Sequence, residues 1–207
     1  MDVNSVSFGA KPISIINIKK LDKSLNKYVD YPVNFVRIDG SNRFDLTAIN
    51  TVAQKWKDAL YVQKIATASH WIHSRDFVEI DVYALTTQQK NFDKLKPNKI
   101  LGLAEIRNDN KNPENRILQH LQVKPSAINL ENNDKKTYKR TGTAILTSLK
   151  KIYNNITLFA DSPSTEKFYR KNGFIEDFFC HGHMAWSSNI FKMMKLRINR
   201  FLIRNGF

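Results

Sequence analysis

The stretch Lys139-Arg140-Thr141-Gly142-Thr143-Ala144 restricts the fold more than any other, because a basic turn of small residues runs there straight into a helical pattern. Upstream, Arg116 to Val123 reads as a strand stopped by Pro125. Downstream, Thr141 to Tyr153 places Ala144, Ile145, Leu149 and Ile152 on one side of a helix. Asn154-Asn155 ends it, and Ile156 to Ala160 is a short apolar strand. Strand, helix and strand in that order require a crossover, so these two strands should pair in parallel. Ser162-Pro163-Ser164 opens another helix, since proline is tolerated in a first turn. That helix carries Phe168-Tyr169 and ends at Gly173, which suits the left-handed backbone of a helix stop. Phe174 to Phe179 and Gly182 to Ser187 pattern as a final hairpin.

The earlier half also alternates strand and helix signals. Residues 1–31 show little beyond Ile13 to Ile18, which is apolar enough for a strand. Val33 to Ile38 reads as a strand broken by Asp39-Gly40. From Phe44 to Ala68, the residues Leu46, Ile49, Val52, Ala53, Trp56, Ala59 and Leu60 recur three or four apart. That spacing predicts one long amphipathic helix with Asp45 as its N-cap. Phe77 to Leu85 and Ile100 to Arg107 read as strands around a polar loop over 86–98. With Arg116 to Val123 they make an antiparallel meander. Residues 126–138 are polar and read as a surface insertion.

The turn at Lys139 to Ala144 has a definite chemistry. A helix N-terminus presents unpaired backbone N–H groups and the positive end of the helix dipole. Gly142 lets the backbone approach a ligand closely, and a diphosphate fits such a place. Lys136, Lys139 and Arg140 add charge around it. Alone this is a weak signal, because many loops end in glycine before a helix.

Taken with the Val123-Lys124-Pro125 strand end, the crossover strand and the Phe168-Tyr169 and Gly173-Phe174 pairs, the turn resembles the GNAT superfamily of acyl-coenzyme A-dependent N-acetyltransferases. The family signature Gln/Arg-x-x-Gly-x-Gly/Ala stands here as Lys139-x-x-Gly142-x-Ala144. The resemblance covers 100–187 by motif and 33–99 by element order. It implies an acetyltransferase domain over 33–187 and says nothing of the flanks, which are read as an N-terminal extension over 1–32 and a basic segment over 188–207. The implied fold is α/β (α+β): a mixed, mainly antiparallel sheet of about seven strands, flanked by helices and splayed between its fourth and fifth strands. Acetyl-CoA is the implied cosubstrate, with an amine as acceptor. Lys139, Arg140, Thr141, Gly142, Thr143 and Ala144 would hold the diphosphate. Backbone groups at Leu121 and Val123 would bond the pantetheine arm. The amine would attack the thioester directly, with the amide near Leu121 polarising the carbonyl.

By the same resemblance Tyr169, four residues before Gly173, is the general acid for the departing thiolate. The ordinary alternative for an aromatic beside Phe168 is core packing. The base is open. Ile117 stands where histone-type members carry a glutamate, which leaves His120 and Glu105 as the nearest side chains and a water chain as a third route. His120 titrates in the useful range. Ser162 replaces a pantetheine-contacting asparagine and offers only a hydroxyl. These departures keep in contention a degenerate domain that binds CoA or a partner without turnover.

Composition adds bounds. In a chain of 207 residues, an apolar fraction of 42% supports a packed core and argues against disorder throughout. A net charge of +14 attracts phosphate-rich partners, so a nucleic acid, a membrane surface and a phosphorylated cofactor compete as explanations. It disfavours polyamine acceptors and keeps acetylation of an aminoacyl-tRNA as an alternative. No apolar run approaches ~18 residues, so no transmembrane segment is expected. Met1 to Ala10 lacks the pattern of a secretory signal, and Cys180 has no partner cysteine, which together suggest a cytoplasmic setting. No metal is expected, because His181-Gly182-His183 beside Cys180 lacks zinc-ligand spacing.

Asn189 to Phe207 contains Lys192, Lys195, Arg197, Arg200 and Arg204 and no acidic residue. Ile190, Phe191, Met194, Ile198, Phe201 and Leu202 form an apolar stripe at helical spacing. Such a helix could lie on an anionic membrane or touch RNA. The expectation is that it packs against its own domain or the mate in a homodimer, with its cations in water.

Overall fold

The computed structural model describes residues 9–56, 59, 61–72, 79–109, 112, 114–125, 137–176 and 181–204. The chain divides into two compact units, residues 1–105 with 120–148 and residues 106–119 with 149–207.

In the first unit, β1 (Lys11–Asp22) and β2 (Lys27–Arg37) form a long antiparallel hairpin. The Asp22 carboxylate accepts from the N–H groups of Ser24 and Leu25, which fixes the turn. A strand of 12 residues thus occupies the stretch where only Ile13 to Ile18 is legible. Its second half is hidden because a cross-strand ion pair, Lys19 to Asp30 at 2.9 Å, replaces apolar alternation. β3 (Ile80–Thr86) pairs antiparallel with β2. Next in order stand β4 (Ile100–Asn108) and β5 (Arg116–Val123), while β6 (Tyr138–Lys139) pairs with β1.

The helix expected over 44–68 is two helices, α1 (Arg43–Lys55) and α2 (Val62–Ser69). Trp56 leaves helical backbone at φ −104 and ψ 33, and the Ala59 N–H bonds its carbonyl. Trp56 and Ala59 are both buried, so the apolar stripe runs on through a break that spacing cannot reveal. The N-cap is Asn42 and not Asp45. The Asn42 side-chain oxygen accepts from the N–H groups of Phe44 at 2.8 Å and Asp45 at 3.3 Å. Asp45 is fully buried in the first turn and accepts from the Asp39 N–H at 3.1 Å. Ile49, Val52, Trp56, Val62 and Ile65 pack with Val36, Val82 and Leu103. Each large apolar side chain so buried contributes about 1.5–3 kcal/mol.

In the second unit, the start of β5 pairs in parallel with β7 (Asn155–Phe159), from Arg116 opposite Ile156 to Leu118 opposite Leu158. The crossover helix is α3 (Thr141–Ile152), which, like β4 and β5, contributes residues to both units. Ala144, Ile145 and Leu149 are buried as the spacing predicts, whereas Ile152 in the last turn is exposed. α4 (Pro163–Lys171) is followed by Gly173 at φ 83, the left-handed stop expected. β8 (Ile175–Glu176) and β9 (His183–Ser187) pair antiparallel, and β9 pairs with β7. The chain continues into α5 (Ile190–Arg204).

The sheet is mixed and mainly antiparallel, with helices flanking it, and nine strands occur among the described residues where about seven were expected. β1, which lies ahead of the expected domain, and the two-residue β6 account for the surplus. Most of the polar insertion, 126–136, and the hairpin tip at 177–180 lie outside the described residues. No helix among the described residues is long and apolar enough to cross a membrane.

Candidate active site

The basic turn opens on a backbone conformation that is uncommon for its residue. Arg140 has φ 65, in the left-handed region. Its carbonyl accepts from the Ala144 N–H at 2.9 Å, the first bond of α3. The N–H groups of Thr141, Gly142 and Thr143 precede that bond, so the helix itself offers them no acceptor. The first turn contains no acidic residue that would offset the helix dipole. Thr141 is buried, and among the described residues nothing hydrogen-bonds its hydroxyl. Arg140 is exposed beside it. Lys139 stands on β6 opposite Lys19, and its ammonium sits 3.9 Å from the centre of the Tyr28 ring. That cation–π contact ties it to the β1–β2 hairpin. Lys136 lies outside the described residues.

Gly102 on β4 seats this turn against β5. A Cβ placed there would stand 2.7 Å from Ile145 Cδ1, 3.2 Å from the Gln122 carbonyl oxygen and 3.5 Å from Thr141 Cγ2. Absence of a side chain therefore lets the first turns of α3 lie close to the end of β5. Leu121 and Val123, on either side of Gln122, are half-buried, and the Lys124 N–H bonds the Leu101 carbonyl at 2.9 Å. Reading the sequence by strand pattern passes over Gly102. An isolated glycine inside a strand signals close backbone approach, and that signal was available.

His120 lies on β5, two residues before Gln122, so the two share a face. Its ring stacks on Tyr61, with centroids 4.9 Å apart and planes at 14°. The Gln122 amide oxygen accepts from the Tyr61 N–H at 3.4 Å, and the Lys64 ammonium is 5.7 Å from the Tyr61 ring centre. The break between α1 and α2 thus places Tyr61 over His120. Tyr61 is a second residue missed from sequence, where the assumption of a continuous helix concealed it. Glu105, the other candidate base, is fully buried on β4.

The second unit holds Tyr169 and Ser162. Tyr169 is half-buried on α4, edge-on to Phe168 at 5.2 Å and to Phe174 at 5.7 Å. These two rings fix its orientation. Ser162 is the N-cap of α4, and its oxygen accepts from the Thr165 N–H at 3.3 Å in a capping box. That hydroxyl also lies 3.0 Å from the Ser164 hydroxyl, so its bonding capacity is largely engaged locally. Beneath the Gly173 turn, Lys150 donates to the Asn172 carbonyl and lies over the rings of Phe174 and Trp186. Burial pushes its pKa down to about 8. His183 stands edge-on to Phe159 and His181 is 3.6 Å from Glu176, while Cys180 lies outside the described residues. Among the described residues no three His, Cys, Asp or Glu side chains gather as a metal site would require.

No family model matches the sequence, and no curated protein matches it. Among solved structures, AtaTR bound with AcCoA is similar over 78% of this chain and 97% of its own, at 12% identity and a TM-score of 0.49. The KacTA–DNA complex is similar over 81% of this chain and 99% of its own, at 12% identity and a TM-score of 0.46. A Desulfovibrio desulfuricans structure assigned to the GNAT family as an acetyltransferase is similar over 84% of this chain and 99% of its own, at 10% identity and a TM-score of 0.40. At these identities and with every TM-score under 0.5, the likenesses assign neither family nor role.

Proposed function

We propose that the chain is an N-acetyltransferase that moves an acetyl group from acetyl-CoA to a primary amine by direct attack in a ternary complex. The observation that carries this reading is the seating of α3 over Gly102, which brings a cationic, amide-rich helix start to the end of β5. The N–H groups from Arg140 to Ala144 would hold the diphosphate, and the unmatched Thr141 hydroxyl supplies a further polar group. The parallel register of β5 with β7 stops at Leu118, which supports a role for the backbone of Leu121 and Val123 in binding pantetheine as an added strand.

The chemistry then assigns three tasks. The neutral amine nitrogen bonds to the thioester carbonyl carbon, and the oxyanion that forms is stabilised by the amide near Leu121. The C–S bond breaks as the carbonyl reforms, and the thiolate takes the Tyr169 phenol proton. The surplus proton on nitrogen passes to His120, whose ring is held by the Tyr61 stack. Glu105 is the weaker candidate for that step because it is fully buried. Ser162 acts chiefly as a helix cap, with any contact to pantetheine secondary.

A second reading places the accepting amine on an aminoacyl-tRNA, and the net charge of +14 favours it over any polycationic acceptor. Thiol release from acetyl-CoA, measured with simple amines, peptides and charged tRNA, separates these readings. Turnover with one class, lost in Tyr169→Phe with acetyl-CoA binding retained, supports catalysis. Binding without turnover across the panel would instead indicate a CoA-binding domain without activity.

A further inference from the structure

Helix α5 leaves the described residues of its sequence stripe exposed. It is anchored at its start, where the Asn189 side chain caps the N–H groups of Phe191 and Lys192. The Met193 sulfur accepts from the Ser187 N–H at 3.1 Å, and the helix packs on β8 and β9. Met193 and Leu196, both half-buried, mark the face turned inward. Ile190, Phe191, Met194, Ile198 and Phe201 occupy an arc of about 100° centred roughly 140° from that face. They are 67%, 78%, 51%, 53% and 67% exposed. The expected packing of this stripe against its own domain is thus not what the fold provides.

Charge selects what could cover it. Lys195 and Arg197 flank the stripe, one on each side, and residues 189–207 contain no acidic side chain. Lys192, farther round, is 3.4 Å from Glu114. A second copy of α5 would bring cations against cations in a chain already carrying +14. A phosphate polymer would satisfy the cations but leave the aliphatic residues in water. An anionic lipid surface satisfies both, because the apolar arc sinks to the acyl boundary while Lys195 and Arg197 remain among headgroups. We infer that α5 is a docking helix for anionic membrane surfaces.

Flotation of the full-length protein with phosphatidylcholine vesicles containing about one-third phosphatidylglycerol tests this. The protein should float with these vesicles, float much less with pure phosphatidylcholine, and be released by added salt. The paired exposed substitutions Phe191→Ser with Ile198→Ser should lower binding at least about tenfold, with the melting temperature unchanged. Lys195→Gln with Arg197→Gln should lower it comparably on anionic vesicles alone. Failure to float, equal binding to neutral vesicles, or insensitivity to the stripe variants would overturn the inference. So would a concentration-dependent dimer, or retention on polyuridylate, that depends on the stripe while vesicles bind nothing.

Discussion

Gly102 and Ile145 meet at a separation that leaves no room for a methyl group: a Cβ on Gly102 would stand 2.7 Å from Ile145 Cδ1. The neighbouring Gln122 carbonyl, at 3.2 Å, belongs to backbone and cannot swing away. Gly102→Ala should therefore lift α3 from the strands and cost about 1–3 kcal/mol of stability. Affinity for acetyl-CoA should fall with it. Adding Ile145→Val removes the clashing methyl group and should recover part of both losses. Denaturant unfolding and calorimetric titration of the single and double variants check this, and additive losses would show that the contact is unimportant.

Thr141 carries a buried, unmatched hydroxyl in the first turn of α3, where the diphosphate is proposed to bind. Thr141→Val keeps the shape and removes the hydroxyl. If a diphosphate oxygen is its partner, the variant should bind acetyl-CoA more weakly by about 1 kcal/mol, roughly fivefold. Stability of the free protein should be unchanged or slightly higher, since an unsatisfied buried group is gone. Unaltered affinity would place the hydroxyl outside the binding site.

The stack of Tyr61 on His120 makes the proposed base testable by substitution. His120→Gln should lower kcat roughly a hundredfold, with the KM for acetyl-CoA little changed. Tyr61→Leu keeps apolar contact without a ring stack. It should lower kcat by less and leave the KM for acetyl-CoA unchanged. An unchanged kcat in His120→Gln would assign the proton to a water chain.

Asp45 gives a stability prediction independent of catalysis. Burial is the main cause that raises its carboxyl from 3.8 to about 7, against the Asp39 N–H and with the Asp39 charge assisting. Between those values the folded protein keeps a proton that the unfolded chain has released. This contribution therefore weakens as pH rises through that window. Asp45→Asn stays neutral throughout, so its melting temperature relative to wild type should climb between about pH 4 and pH 7. Parallel melting curves over that range would contradict the assignment.

Much of the second half was legible because short-range chemistry and tertiary packing agree there. Pro125, Ser162-Pro163 and Gly173 punctuate the chain, and β7, α4 and the Gly173 stop fall near the expected places. The first half was harder. Trp56 and Ala59 stay buried through a helix break, so periodicity sees continuity where backbone geometry changes. Asp45 looks like a cap beside the first apolar residue, yet Asn42 takes that place because the turn from Asp39 delivers it to the helix start. The stripe on α5 was visible, but its exposure depends on which face β8 and β9 engage, and periodicity carries no such information. Gly102 and Tyr61 matter through partners far away in sequence, which a linear pattern does not name.

The proposed function rests on one small surface, the first turn of α3, and its ligand. Calorimetric titration with acetyl-CoA, set against S-acetylpantetheine, which lacks the diphosphate, tests it most directly. Saturable one-to-one binding of acetyl-CoA is expected, with S-acetylpantetheine weaker by roughly a hundredfold or more, the loss of several charge-assisted hydrogen bonds. No heat with acetyl-CoA, or equal affinity for the two ligands, would contradict it.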